Sequence, residues 1–284
     1  MLIVLALAAA LLYGSADFLG GAATRRAALL GVLLTSGLAA VAVQLAAALV
    51  AGGPPRAIGI EWGLAAGAAG GIGLMFFYAG LAAGPMSVVS PVAALVSTVL
   101  PVGVAFAQGE RPGSAVYAGV LICLAATVLV SAGAGGPGSS PRGWRDRGRG
   151  VALGLASGAA FGLFFVFMRN GGESGPLWPT LAARSTGLAI YLVAALVMKA
   201  APVGIRAGRP VFATAVGAGV FDAAANICYV LATRAGLFGP VVVLTSLYPA
   251  VTVLLARLAL SERMLRTQQA GLVLAAVGIT LIAA

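Results

Sequence analysis

Two stretches, SPVAALVSTVLPVGVAFAQGER from Ser90 to Arg111 and VVVLTSLYPAVTVLLARLALSER from Val241 to Arg263, decide how this chain folds. Each is an apolar run long enough to cross a bilayer as a helix, carries proline inside it, and closes on a Glu-Arg pair. Glu262 minus Glu110 is 152, and the same offset separates Gly271 from Gly119 and Gly236 from Gly84. Matches among small apolar residues come cheaply in such a composition, but the charged pairs do not. The sequence therefore reads as an internal duplication.

Working outward, apolar stretches at about 2–22, 27–50, 62–82, 86–107, 114–132, 150–168, 178–198, 211–233, 237–260 and 267–284 give ten spans. Hydrophobic residues make up 61% of the chain, charged residues 8%, and mean hydropathy is +1.07, too few charges to build a water-facing surface. The expected fold is all-α and integral to the membrane. The first span lacks a basic leader and carries Asp17, so it reads as a retained helix rather than a cleaved signal. Residues 1–132 form a first five-helix repeat, 133–149 a Gly/Pro/Arg-rich linker, and 150–284 a second repeat. With an odd number of spans in each half, the second half enters from the opposite side, which makes the repeat inverted.

Composition also excludes functions. The net charge of +10 resides mainly in loops between spans, where cations set topology and meet lipid headgroups, and no basic-aromatic platform for nucleic acid accompanies it. There is no histidine, and Cys123 and Cys228 lie in apolar spans as small packing residues, so no metal site or disulfide framework follows. Gly133, Gly135 and Gly138 match GxGxxG without a preceding strand, and no phosphate loop for ATP is present. No cofactor is expected and no enzyme chemistry, since the intramembrane ionisable groups are too scattered for a catalytic set. A lone lysine among 17 basic residues, with abundant Ala and Gly, suggests a GC-rich bacterial source and the inner (cell) membrane.

Glycines four apart, at Gly63, Gly67 and Gly71 and at Gly150, Gly154, Gly158 and Gly162, read as close-packing faces. Pro91 and Pro101 in span four and Pro249 in span nine predict bends, and they are the candidate gating positions. Asp17 and Asp222 fall inside spans, where a charge costs about 2.5–3.5 kcal/mol and so needs a function or a partner. Asn226 and Tyr229 share a helix face with Asp222, as Tyr13 does with Asp17; carboxylates and aromatic edges together suit an organic cation, and Asp222, with no sequence-near cation, suggests proton coupling. Arg184, near the start of span seven, reads first as a cation snorkelling to the interface and second as a partner for a buried carboxylate or an anionic solute group. Tyr78 is a weaker candidate for substrate contact.

The two quoted stretches, in a chain of ten spans and two related halves, resemble the drug/metabolite transporter superfamily, and more narrowly EamA-type permeases. The resemblance covers nearly the whole chain and implies secondary transport, commonly export of amino acids or other metabolites. Relatives often carry Trp-Gly in the first helix; here Tyr13-Gly14 stands there, and the position matching Asp17 in the second half is Phe165. The expected partners are a small-molecule solute such as an amino acid or amine, membrane lipid and a coupling proton. A lipid or lipid-linked metabolite flippase and a non-transporting membrane scaffold are the alternatives.

Loops on the side of the termini carry 4 basic residues and those on the other side 11, so the positive-inside rule puts the central linker in the cytoplasm, whereas the family resemblance implies the reverse. Following the charge count, a cysteine introduced at Ser140 should react with an impermeant thiol reagent only after cells are permeabilised. Labelling in intact cells refutes that orientation.

Overall fold

Carbonyl and amide groups cannot be left to lipid, and the chain answers with helices throughout. The computed structural model describes residues 1–283 apart from Gly52, 84–85, 133–143, 200–207 and 261–264; the side chains at 78, 81–88, 90–91, 131–132, 144–147, 257, 260 and 283 also lie outside the described residues. The helices are α1 (Leu2–Thr24), α2 (Leu29–Ala51), α3 (Ala57–Ala83), α4 (Met86–Ala107), α5 (Ser114–Ala132), α6 (Trp144–Gly172), α7 (Leu177–Met198), α8 (Arg209–Arg234), α9 (Phe238–Thr245), α10 (Tyr248–Leu260) and α11 (Arg266–Ala283). Among the described residues, with α9 and α10 taken as one broken span, seven helices are long and apolar enough to cross a membrane and three shorter apolar ones accompany them, matching the ten spans read from the sequence. Helix α6 begins at Trp144, inside the segment expected to be linker, so only 133–143 of that linker falls outside the described residues.

Size is distributed opposite to a soluble core. Buried positions are dominated by alanine, as at Ala6, Ala9, Ala66, Ala105, Ala126, Ala215 and Ala225, whereas Val4, Leu49, Leu121, Leu196 and Val273 point outward. Lipid accepts the large apolar side chains, and small ones let helix backbones approach. Several buried or half-buried hydroxyls return to their own helix: Thr35 donates to Gly31 O at 2.9 Å, Thr127 to Cys123 O at 2.9 Å, and Thr186 to Ala182 O at 3.0 Å.

The glycine faces do what their spacing predicts. A Cβ at Gly63 or Gly67 would run into the carbonyl oxygens of Pro179 and Ala183, and one at Gly158 would stand 2.7 Å from Ala93 O. Thus α3 lies against α7, and α6 against α4, almost backbone to backbone. Contacts also give direction. Helix α3 runs antiparallel to α6, with Gly70 facing Phe164 and Gly80 facing Leu153, and parallel to α7, with Gly63 facing Ala182 and Gly71 facing Ile190. Helix α8 runs antiparallel to α1, with Gly236 just beyond its end facing Leu2 and Ala218 facing Gly20, and parallel to α2, where Gly219 faces Ser36 and Gln44 donates to Ala223 O at 3.3 Å. Helices α5 and α11 are antiparallel, Gly119 facing Ile282 and Gly271 facing Val130. Other extensive contacts join α4 to α6, α1 to α10 and α2 to α7.

Proline acts differently in the two marked spans. Span nine breaks at Ser246-Leu247: Pro249 has no N–H to give Thr245 O, while Ser246 N reaches Val242 O at 2.9 Å and Leu247 N reaches Leu244 O at 3.3 Å. Span four is one uninterrupted α4 through Pro101. Gly162 of α6 lies against that ring, a Cβ there falling 3.3 Å from Pro101 Cδ, so glycine leaves the proline room without a break. The side chain of Pro91 lies outside the described residues.

Packing of this kind makes substitution costs strongly positional. Gly67→Leu should lower the melting temperature in detergent and the monodisperse yield, at a cost on the order of 1–3 kcal/mol or more, because backbone must move. Gly103→Leu, with nothing within 4 Å of its Cβ position, should melt near wild type. Equal melting temperatures for the two would remove the close-packing account.

Candidate functional site

Midway along α8, Asp222 meets a cation that its own sequence neighbourhood does not supply. Arg184 of α7 donates from Nη2 to Asp222 Oδ1 at 2.8 Å, with 24% and 25% of the two side chains exposed. This corrects two expectations: Asp222 is paired, and Arg184 does not snorkel outward. The pairing follows from direction: α7 packs against α2 and α3, α8 against α1 and α2, and the two charges cancel where neither could stand alone. The Arg184 guanidinium carbon also sits 5.8 Å from the centre of the Phe164 ring.

Asn226 and Tyr229 share the Asp222 face, but backbone takes up their polar atoms. Asn226, 1% exposed, donates from Nδ2 to Asp222 O at 2.7 Å, and fully buried Tyr229 donates to Phe165 O of α6 at 2.9 Å. Both fasten α8 in place. The Phe165 and Tyr229 rings lie 5.0 Å apart, adding an aromatic contact between α6 and α8.

Asp17, one helix away on α1, is close enough to interact electrostatically with Asp222 and Tyr248. Among the described residues it has neither a hydrogen bond nor an ion pair. Its side chain is exposed. Tyr13 lies one turn earlier, its ring 6.2 Å from that of Tyr248 in an edge-on arrangement. Tyr13 Oη and Arg184 Nε are buried without a hydrogen bond of good geometry, and the two side chains lie within reach of each other.

The site thus gathers Tyr13 and Asp17 of α1, Arg184 of α7 and Asp222 of α8. Two members were missed from sequence. Tyr248 opens α10 at the break in span nine, and its place beside Pro249 was the signal that could have found it. Tyr191, in electrostatic reach of Arg184 and Asp222, lies two turns beyond Arg184 on the same face of α7, a spacing that points to it in the same way. The side chain of Tyr78 lies outside the described residues. A separate apolar hollow of about 330 Å³, lined by Met1, Leu5, Leu231, Arg234 and Ala235, sits at the other end of α1.

Residues 148–284 match the sequence profile of the EamA-like transporter family. Over that part, just under half of its length, the chain is similar to the EamA-like transporter family. The match supports a multi-pass membrane transporter of the drug/metabolite superfamily. A solved crystal structure, titled only as that of a protein, superposes on 99% of this chain and 98% of its own with a TM-score of 0.78 and 22% identity, a likeness of fold. No curated protein matches the sequence.

The ion pair predicts a coupling in the EamA-type fold. Arg184→Gln and Asp222→Asn should each lower the melting temperature more than the double substitution does relative to either alone, with a coupling on the order of 1–3 kcal/mol. Additive effects in that cycle would mean the pair contributes nothing as a pair.

Proposed function

We propose that this protein is a secondary transporter carrying a small organic metabolite with an ammonium group, an amino acid or amine, by alternating access as an exporter or exchanger in a bacterial cell membrane. The observation that carries this reading is the gathering at one place in the bundle of the Asp17 carboxylate, which has no hydrogen bond or ion pair among the described residues, with Tyr13 and Arg184. Buried polar atoms are costly when unpaired, and a solute that supplies their partners recovers that cost on binding. A carboxylate for the ammonium, two donors for a carboxylate or carbonyl, and the Tyr13–Tyr248 pair against the organic body form a complementary set. Asp17 can hold a proton or the ammonium but not both at once, which offers a route to proton coupling without a further cofactor.

The helix directions favour alternation between two inverted repeats. Exchanging the halves maps the α3 and α6 contact onto α8 and α1, that of α3 and α7 onto α8 and α2, and that of α4 and α6 onto broken span nine and α1. The counterparts α5 and α11 run antiparallel, as inversion requires. The rest of the division, with residues 1–132 and 150–284 as the moving halves, is part of the same proposal.

A thermal-shift screen of amino acids, amines, nucleosides and organic anions should find ammonium-bearing ligands, and proteoliposome flux with a hit gives the test. Asp17→Asn should fold normally and lower flux at least tenfold, since the substitution removes a charge-assisted hydrogen bond of about 1.5–3 kcal/mol. Wild-type flux with unchanged pH dependence in that variant would falsify the role of Asp17.

A further inference from the structure

Glu110, which belongs to the Glu-Arg pair closing span four, reaches across the bundle. Helix α4 closes with Gly109 at φ +93° and with Glu110 N bonded to Ala105 O at 3.1 Å, a turn that delivers the following side chain away from its own helix. The Glu110 carboxylate then accepts from Phe238 N at 2.6 Å and from Gly239 N at 3.0 Å, one oxygen to each. These are the first two amides of α9. Leu237, the residue before them, makes no side-chain cap, so the N-terminus of α9 takes its cap from a residue 128 positions away. Arg169, at the end of α6, donates to Gln108 Oε1 and stands 4.8 Å from the centre of the Phe238 ring.

What this cap holds is specific. All eight residues of α9 are buried, and the segment runs from Glu110 to the break at Ser246-Leu247, beyond which Tyr248 faces Asp17. Along about 12 Å, α9 therefore separates the candidate site from the face where α1 begins, as the approach of Gly236 to Leu2 shows. The segment packs against α1, α4, α5 and α8 along its length, with a break at its inner end and a polar attachment, the Glu110 carboxylate, at its outer end.

We propose that the Glu110 cap on α9 is a latch closing the pathway on the face that carries the N-terminus, and that opening to that face requires Phe238 and Gly239 to leave the carboxylate. The proposal rests on the alternating-access reading. It goes beyond it in naming the contact that sets the balance between the two states.

The test replaces Cys123 and Cys228 by alanine and introduces Val242→Cys, a buried position in the middle of α9, as reporter, with Glu173→Cys in the exposed turn after α6 as control. An impermeant maleimide is applied to the N-terminal face of oriented proteoliposomes. Labelling at Val242→Cys should be slow with Glu110 present, faster in E110Q, which keeps one acceptor, and at least tenfold faster in E110A, while the control labels equally in all three. E110Q gives the same readout if E110A is recovered poorly. Unchanged labelling in E110Q and E110A, with solute flux intact in the parent, overturns the latch. Absence of flux in the parent together with faster labelling in E110A instead sinks the transport reading and leaves the latch standing.

Discussion

In hydrocarbon a backbone carbonyl without a donor costs several kcal/mol, and every departure from continuous helix in this protein is arranged around that cost. Inside the bundle the break in span nine is sheltered: α9 is buried along its whole length, and the loose amides at Ser246 and Leu247 turn back on Val242 and Leu244. At its outer end the same segment would leave amides open, and Glu110 supplies their acceptors from another helix. In α4 the helix runs through Pro101 unbroken, although that ring too leaves a carbonyl, that of Ser97, without its usual donor.

The same constraint positions the site. Asp222 can stand in the middle of α8 because α7 brings Arg184 to it, and that ion pair leaves Asp17 as the carboxylate with no partner of its own. Small residues make this possible: α3 approaches α7 through Gly63 and Gly67, and α1 approaches α10 through Gly14, where a Cβ would fall 2.6 Å from Tyr248 O. Close backbones bring short side chains from four helices within reach of one another.

Much of the fold was legible because it depends on properties that act locally. Ten apolar spans, the glycine faces and the break beside Pro249 follow from hydrophobic length, side-chain size and a missing N–H. What was not legible is tertiary. Nothing near Asp222 in sequence announces Arg184, thirty-eight positions earlier, and nothing in Asn226 or Tyr229 says that backbone carbonyls will claim them. A shared helix face tells which side chains point the same way, not whether they meet a cavity or a neighbouring helix. Glu110 is a case of the same kind: its place at the end of a span is legible, while its partner is a matter of which helix arrives beside it.

The length of α9 has a mechanical consequence. A stiff rod of eight residues, about 12 Å long, that pivots through about 15° displaces its tip by roughly 3 Å, comparable to the whole length of a hydrogen bond. A longer arm would sweep more ground and collide with its neighbours; a shorter one would leave the bond stretched but intact. On the latch proposal, eight residues give a lever for which a modest rotation is enough to disconnect it from Glu110.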